Sequence, residues 1–146
     1  MRTKTIRRGA APFIVVAAIA VLAGCGPTAT SGGREVPPAR MERIGPNLSV
    51  VLTPLGAARV GLQTASATAS GKATIVPVQA LLYEPNGQAA IYTKTGALAY
   101  TIQFITVAAI NGDQVVVSHG LAPGTVVVTQ GAEELLGVQN GVGVET

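Results

Sequence analysis

Between Ala73 and Gly131 short apolar runs alternate with turn residues, and that rhythm predicts strands. Ala73–Tyr83 is rich in β-branched and apolar residues, with Pro77 confining its interior to a sheet edge or a bulge. Glu84-Pro85-Asn86-Gly87 places Pro second and Gly fourth in a turn, so a hairpin leads into a strand at Gln88–Thr93. After Thr95-Gly96, the stretch Leu98–Val107 sets Tyr100, Ile102 and Phe104 on one face and Thr101 and Gln103 on the other. Asn111-Gly112-Asp113 turns the chain again. Val115–Val117 and Val126–Val128 then flank Leu121-Ala122-Pro123-Gly124, where Pro followed by Gly fits a type II turn. Strands at about ten-residue spacing predict a mainly β fold, a small antiparallel roll or barrel.

Upstream, Leu48–Leu52 reads as a strand, and Thr53-Pro54 as the start of one short helix, with Thr53 as N-cap and Pro54 at the first helical position. That helix ends near Gly61, with Leu55, Ala58 and Leu62 on one side. Gln63–Ser70 is polar and β-branched enough to be extended, and Gly71-Lys72 forms a tight turn into the main block. In the tail, Ala132–Gly137 suits one helical turn with Glu133 and Glu134 exposed near its start, and Gly141–Val144 a last edge strand. The folded domain is expected over residues 48–146.

The amino-terminal region has a different pattern. A basic start, an apolar run over Ala10–Leu22 and small residues at Ala23 and Gly24 give residues 1–24 the layout of a secretory signal. Leu22-Ala23-Gly24-Cys25 resembles the bacterial lipobox, which implies lipidation at Cys25 as the first mature residue. Cys25 is also the only cysteine and has no disulfide partner within the chain. The plainer reading is a soluble secreted protein with a free thiol. From Cys25 to residue 47 the composition is Gly, Pro, Ser, Thr and scattered charge, expected to be a flexible tether. The formal charge of +3 is concentrated in the leader: beyond Gly24 six basic residues face seven acids. A basic binding surface is therefore not indicated, and with Trp absent and aromatic residues at 3% there are no stacking platforms for nucleic acid.

The order of these pieces resembles the membrane-proximal domain of the periplasmic adaptor, or membrane fusion protein, family of efflux pumps. The resemblance rests on Leu52-Thr53-Pro54, Val60-Gly61-Leu62-Gln63-Thr64-Ala65, Val76-Pro77, Ala80-Leu81-Leu82, the Pro-Asn-Gly turn, Ile91-Tyr92, Asn111-Gly112-Asp113, and Gly120 to Gly124 with Val127-Val128 and Gly131. It implies a membrane-proximal β domain and a transporter permease in the inner membrane as partner. A full adaptor inserts a second barrel, lipoyl-like half-motifs and usually a coiled-coil hairpin where this chain has only Ser66–Lys72, and no heptad pattern is present. A domain of this size is a few tens of ångströms across, too short to span a periplasm.

Few residues here suit chemistry. His119 is the only histidine, so a metal site around it would need carboxylates alone, and zinc sites usually use several His or Cys ligands. Met41 is the only methionine beyond Met1, too few for a soft-metal site. Glu133 and Glu134 are adjacent, as are Ser118 and His119, and adjacent side chains diverge on helix or strand, which argues against an acid–base pair or a nucleophile with its base. Asn86-Gly87 and Ala122-Pro123-Gly124 are better explained by turn geometry than by phosphate binding. The expectation is a non-enzyme without metal or cofactor: a docking or accessory module, held outside the cell membrane by the lipid on Cys25 and contacting a transporter. Homo-oligomer assembly is compatible with that expectation. The alternatives are a free-standing lipoprotein that binds a small ligand or an envelope fragment, and a shortened adaptor remnant without activity.

Overall fold

The structure, a computed structural model, describes residues 36–142. The expected signal segment, Cys25 and the end of the expected last strand lie outside those residues. Within them, Gly141 and Val142 form a turn.

The described residues are mainly β, with two antiparallel sheets and two helices. Strands β1 (Ala39–Ile44) and β2 (Asn47–Leu52) form a hairpin, paired from Ala39 opposite Leu52 to Ile44 opposite Asn47. Gly45 turns it at φ 60°. This hairpin corrects the expected tether, since folded structure begins well before residue 48. Its outer strand carries Arg40, Glu42 and Arg43 between apolar positions, a pattern that reads as solvated coil yet suits an edge strand.

Helix α1 (Pro54–Val60) starts as the sequence predicts. Thr53 Oγ1 accepts the Gly56 amide at 3.0 Å, Pro54 takes the first turn, and Gly61 closes the end at φ 64°. Of the side that carries Leu55, Ala58 and Leu62, only Leu62 packs on the core. Leu55 is 58% exposed, while Gly56 is buried and Ala57 packs on the core. The reason is a close backbone approach: a Cβ at Gly56 would stand 2.2 Å from the Pro38 carbonyl oxygen.

The remaining strands are β3 (Gln63–Ser66), β4 (Thr68–Ser70), β5 (Ala73–Pro77), β6 (Leu82–Tyr83), β7 (Ala89–Lys94), β8 (Ala99–Phe104), β9 (Thr106–Asn111), β10 (Gln114–His119) and β11 (Val126–Gln130). The first sheet runs β1-β2-β8-β7-β11-β3, with β6 also paired to β7, and the second runs β4-β5-β10-β9. The expected roll does not close into a barrel, because each sheet keeps two free edges. Pro77 ends β5 beyond the reach of β4, paired only with Gln114 of β10, so it holds a local edge position within an otherwise interior strand, before a 3₁₀ turn at Val78–Ala80. Leu98–Val107 is not one strand. It breaks at Ile105, where β8 of the first sheet gives way to β9 of the second.

Four such crossings join the sheets: Ala67, the 3₁₀ turn, Ile105 and the Leu121–Thr125 segment. Residues at these crossings (Ala67, Ala80, Ile105, Leu121) are buried with Val76, Val115 and Val117 from the second sheet and Ile91 and Val127 from the first. The corners therefore supply part of the core, as in sheets whose strands switch layers. A second cluster covers the other face of the first sheet, where Val50, Leu52, Tyr92, Tyr100 and Val128 pack against Ala132 and Leu135 of helix α2 (Ala132–Gln139). Helix α2 extends the single helical turn expected in the tail. Strand β7 serves both clusters, Ile91 facing one and Tyr92 the other, and neither is exposed at all.

Candidate docking surface

Of the four strands that end the paths of the two sheets, three are guarded, and β6, which pairs only with β7, has just two residues. β1 bears Arg40 and Glu42, ion-paired at 2.8 Å, together with Arg43, while β3 has four residues and β4 three. Charge and shortness are two of the means by which an edge avoids pairing with another chain, bulges being a third. β9 has neither of the first two. Its six residues, Thr106-Val107-Ala108-Ala109-Ile110-Asn111, include no charge and no Pro, and all but Val107 are exposed.

The whole second sheet shares this character, for none of its strands contains Lys, Arg, Asp or Glu. Val76, Val115 and Val117 point into the core, so the alternate positions form the outer face. There one register row runs across all four strands: Thr68 opposite Ile75, Ile75 opposite Val116, Val116 opposite Ala109. Ile75 and Val116 are partly buried and Ala109 is exposed. The nearest formal charges, Lys72 and Asp113, lie in the hairpin turns at the sheet's ends.

Two irregularities shape the β9 side. Val116 pairs with Ala109 and Val117 with Val107, which leaves Ala108 as an extra residue. In consequence Val107 and Ile110, three apart in sequence, both accompany inward-facing valines of β10. On β10 the extra residue is Ser118. That bulge brings Ser118 and His119 together, contrary to the divergence expected of neighbours: Nδ1 of His119 lies 3.2 Å from Oγ of Ser118. The polarity opposes nucleophilic use. The serine hydroxyl donates to the Thr106 carbonyl at 3.2 Å, so the imidazole donates to the serine and cannot act as its base.

The other singled-out residues stay apart from this surface. Glu133 and Glu134 are exposed in the first turn of α2, where carboxylates complement the helix dipole. Met41 packs against the cluster under α2. Asn86 Oδ1 accepts the Gln88 amide at 2.9 Å and Gly87 stands at φ 81°, a turn held by its own side chain. Gly124 at φ 82° and a 3.3 Å bond from the Thr125 amide to the Ala122 carbonyl fit the type II turn. Among the described residues no group of three or more His, Cys, Asp or Glu could hold a metal ion, and no helix is long and apolar enough to cross a membrane.

Two open clefts flank Gln79. One of about 230 Å³ borders the start of α2. The other, of about 220 Å³, lies beside Asp113. Both fall below the roughly 300–1,000 Å³ typical of small-molecule sites.

The main electrostatic perturbation is structural. Burial first, and Glu84 second, push the Tyr92 phenol far above its ordinary range, and burial also raises Tyr100. Tyr92 donates to Gln139 Oε1 at 2.8 Å, tying β7 to α2. A raised folded-state pKa keeps its contribution below the unfolded value of about 10 and loses it as pH climbs past that value. Urea midpoints should accordingly hold steady from pH 8 to about pH 10 and fall above it, and Tyr92→Phe should flatten that fall.

Sequence reasoning missed β9 as a strand. The only available signal was the Asn-Gly turn with apolar residues on both sides, which marks a hairpin and thus a strand before it as well as after. No family model, no curated protein and no solved structure matches the chain.

Proposed function

We propose that the chain is a lipid-anchored extracytoplasmic docking module, similar to the membrane-proximal domain of efflux-pump adaptors, that seats against a transporter permease. The observation that carries this reading is the outer face of the second sheet. A face built of Ile75, Val116 and Ala109, framed by hydroxyls and free of charge, can be covered without desolvating an ion. The module positions its partner, performs no chemistry of its own and uses no cofactor.

The test is capture from detergent-solubilised membranes. Tagged full-length protein is expected to recover a permease, and Ile75→Lys to lose it while circular dichroism stays unchanged. Failure of the wild type to recover any integral membrane protein overturns the reading. Mass spectrometry of the mature amino terminus checks the anchor separately, with an acylated Cys25 expected.

A further inference from the structure

The β9 edge has a property that the docking face alone does not require: its sequence matches itself when reversed. We infer that two copies of this chain pair β9 with β9, antiparallel about a two-fold axis between Ala108 and Ala109. In that register Thr106 faces Asn111 of the other copy, Val107 faces Ile110, and Ala108 faces Ala109. Each pair matches in size and polarity, and the smallest side chains fall at the axis.

The bulge at Ala108 makes this register work. Because it turns Val107 and Ile110 to the same inner side, both Val107–Ile110 contacts extend the core cluster between the sheets across the axis. Val107 already packs on that cluster, whereas Ile110 is 48% exposed in the single copy. Pairing covers it. The absence of charge is compatible with self-pairing, since a two-fold axis repeats every side chain and would set any ionised group on the strand within a few residues of an identical charge. The strand has none, nor has the rest of its sheet. The product is a continuous eight-stranded sheet whose outer face doubles the uncharged row. This goes beyond the docking reading and depends on β9 alone.

The test uses the full chain carrying Cys25→Ser, so that introduced thiols are the only ones. Two copies of residue 110 would be three residues out of register, about 10 Å apart, and Cα atoms more than about 7 Å apart cannot be bridged by a disulfide. The same holds for residue 107. Ile110→Cys and Val107→Cys chains should each stay uncross-linked alone and form a disulfide dimer when mixed. Sedimentation of the unmutated strand should show a dimer that dissociates on dilution. Ile110→Lys, which sets an ammonium against Val107 twice per dimer, should raise the dissociation constant at least roughly tenfold.

A monomer at every concentration overturns the proposal. So does cross-linking of the Ile110→Cys chain by itself, or a dimer that Ile110→Lys leaves unchanged. A monomer that still captures a permease sinks the pairing and leaves the docking reading standing, and a dimer that captures none does the reverse.

Discussion

Gly120→Ala is expected to lower the stability to urea unfolding by about 2–5 kcal/mol, adding a left-handed backbone cost of about 1–2 to an overpacking cost of about 1–3. Gly120 stands at φ 92°, and a Cβ there would lie 2.4 Å from the Phe104 carbonyl oxygen and 3.0 Å from the Ile105 Cα. The segment has no room to withdraw. Gln103 Nε2 donates to the Gly120 carbonyl, and the Thr74 hydroxyl donates to the Leu121 carbonyl at 3.0 Å. Both hold the crossing that returns the chain from the second sheet to the first. Gly112→Ala is the control. Gly112 has φ 62° but nothing within 4 Å of its Cβ position, so that variant should show the backbone cost alone. Equal losses from the two substitutions would mean that the Phe104 contact relaxes freely.

Leu135→Ala is expected to cost about 2–5 kcal/mol, the range for a fully buried leucine whose surroundings collapse only in part. Leu135 has no exposed surface, and with Ala132 it is the buried anchor of α2. Beyond these two, the half-buried Leu136 and Val138 and the Tyr92–Gln139 hydrogen bond hold the helix. At eight residues it is shorter than isolated helices that persist in water, Gly131 offers no side-chain cap, and Gly137 lies inside it. The loss should be unevenly placed. Amide exchange should rise most at Asn140, whose bond to the Leu136 carbonyl depends on the last helical turn, and least in β7. Leu55→Ala, at a residue 58% exposed, should change stability by less than about 0.5 kcal/mol.

What the sequence disclosed and what it withheld divide along a physical line. The cap at Thr53, the stop at Gly61, and the turns at Gly71, Glu84–Gly87, Asn111–Asp113 and Ala122–Thr125 depend on a few neighbouring residues, and all are present. Long-range choices were hidden. Gly56 faces inward because the Pro38 backbone presses on it, a contact that no hydrophobic period encodes in a seven-residue helix. Ile105 looks like one more apolar position in a run, yet it is where the chain changes layers. Strands of a closed barrel and of two packed sheets share the same alternation, so barrel closure could not be read from it. The uncharged outer face and the β9 edge were obscure for the same reason. That β9 is an open edge follows from what does not pair with it.

Strand β7 acts as a party wall. Ala90, Ile91, Tyr92 and Thr93 are all buried, one side of the wall bearing on α2 and the other on the second sheet. A side chain altered there must be accommodated by one tenant or the other, which leaves the strand almost no latitude for substitution. Latitude belongs to the periphery, where a strand answers to a single neighbour. A protein of this plan can rewrite its outermost strand while its middle stays fixed.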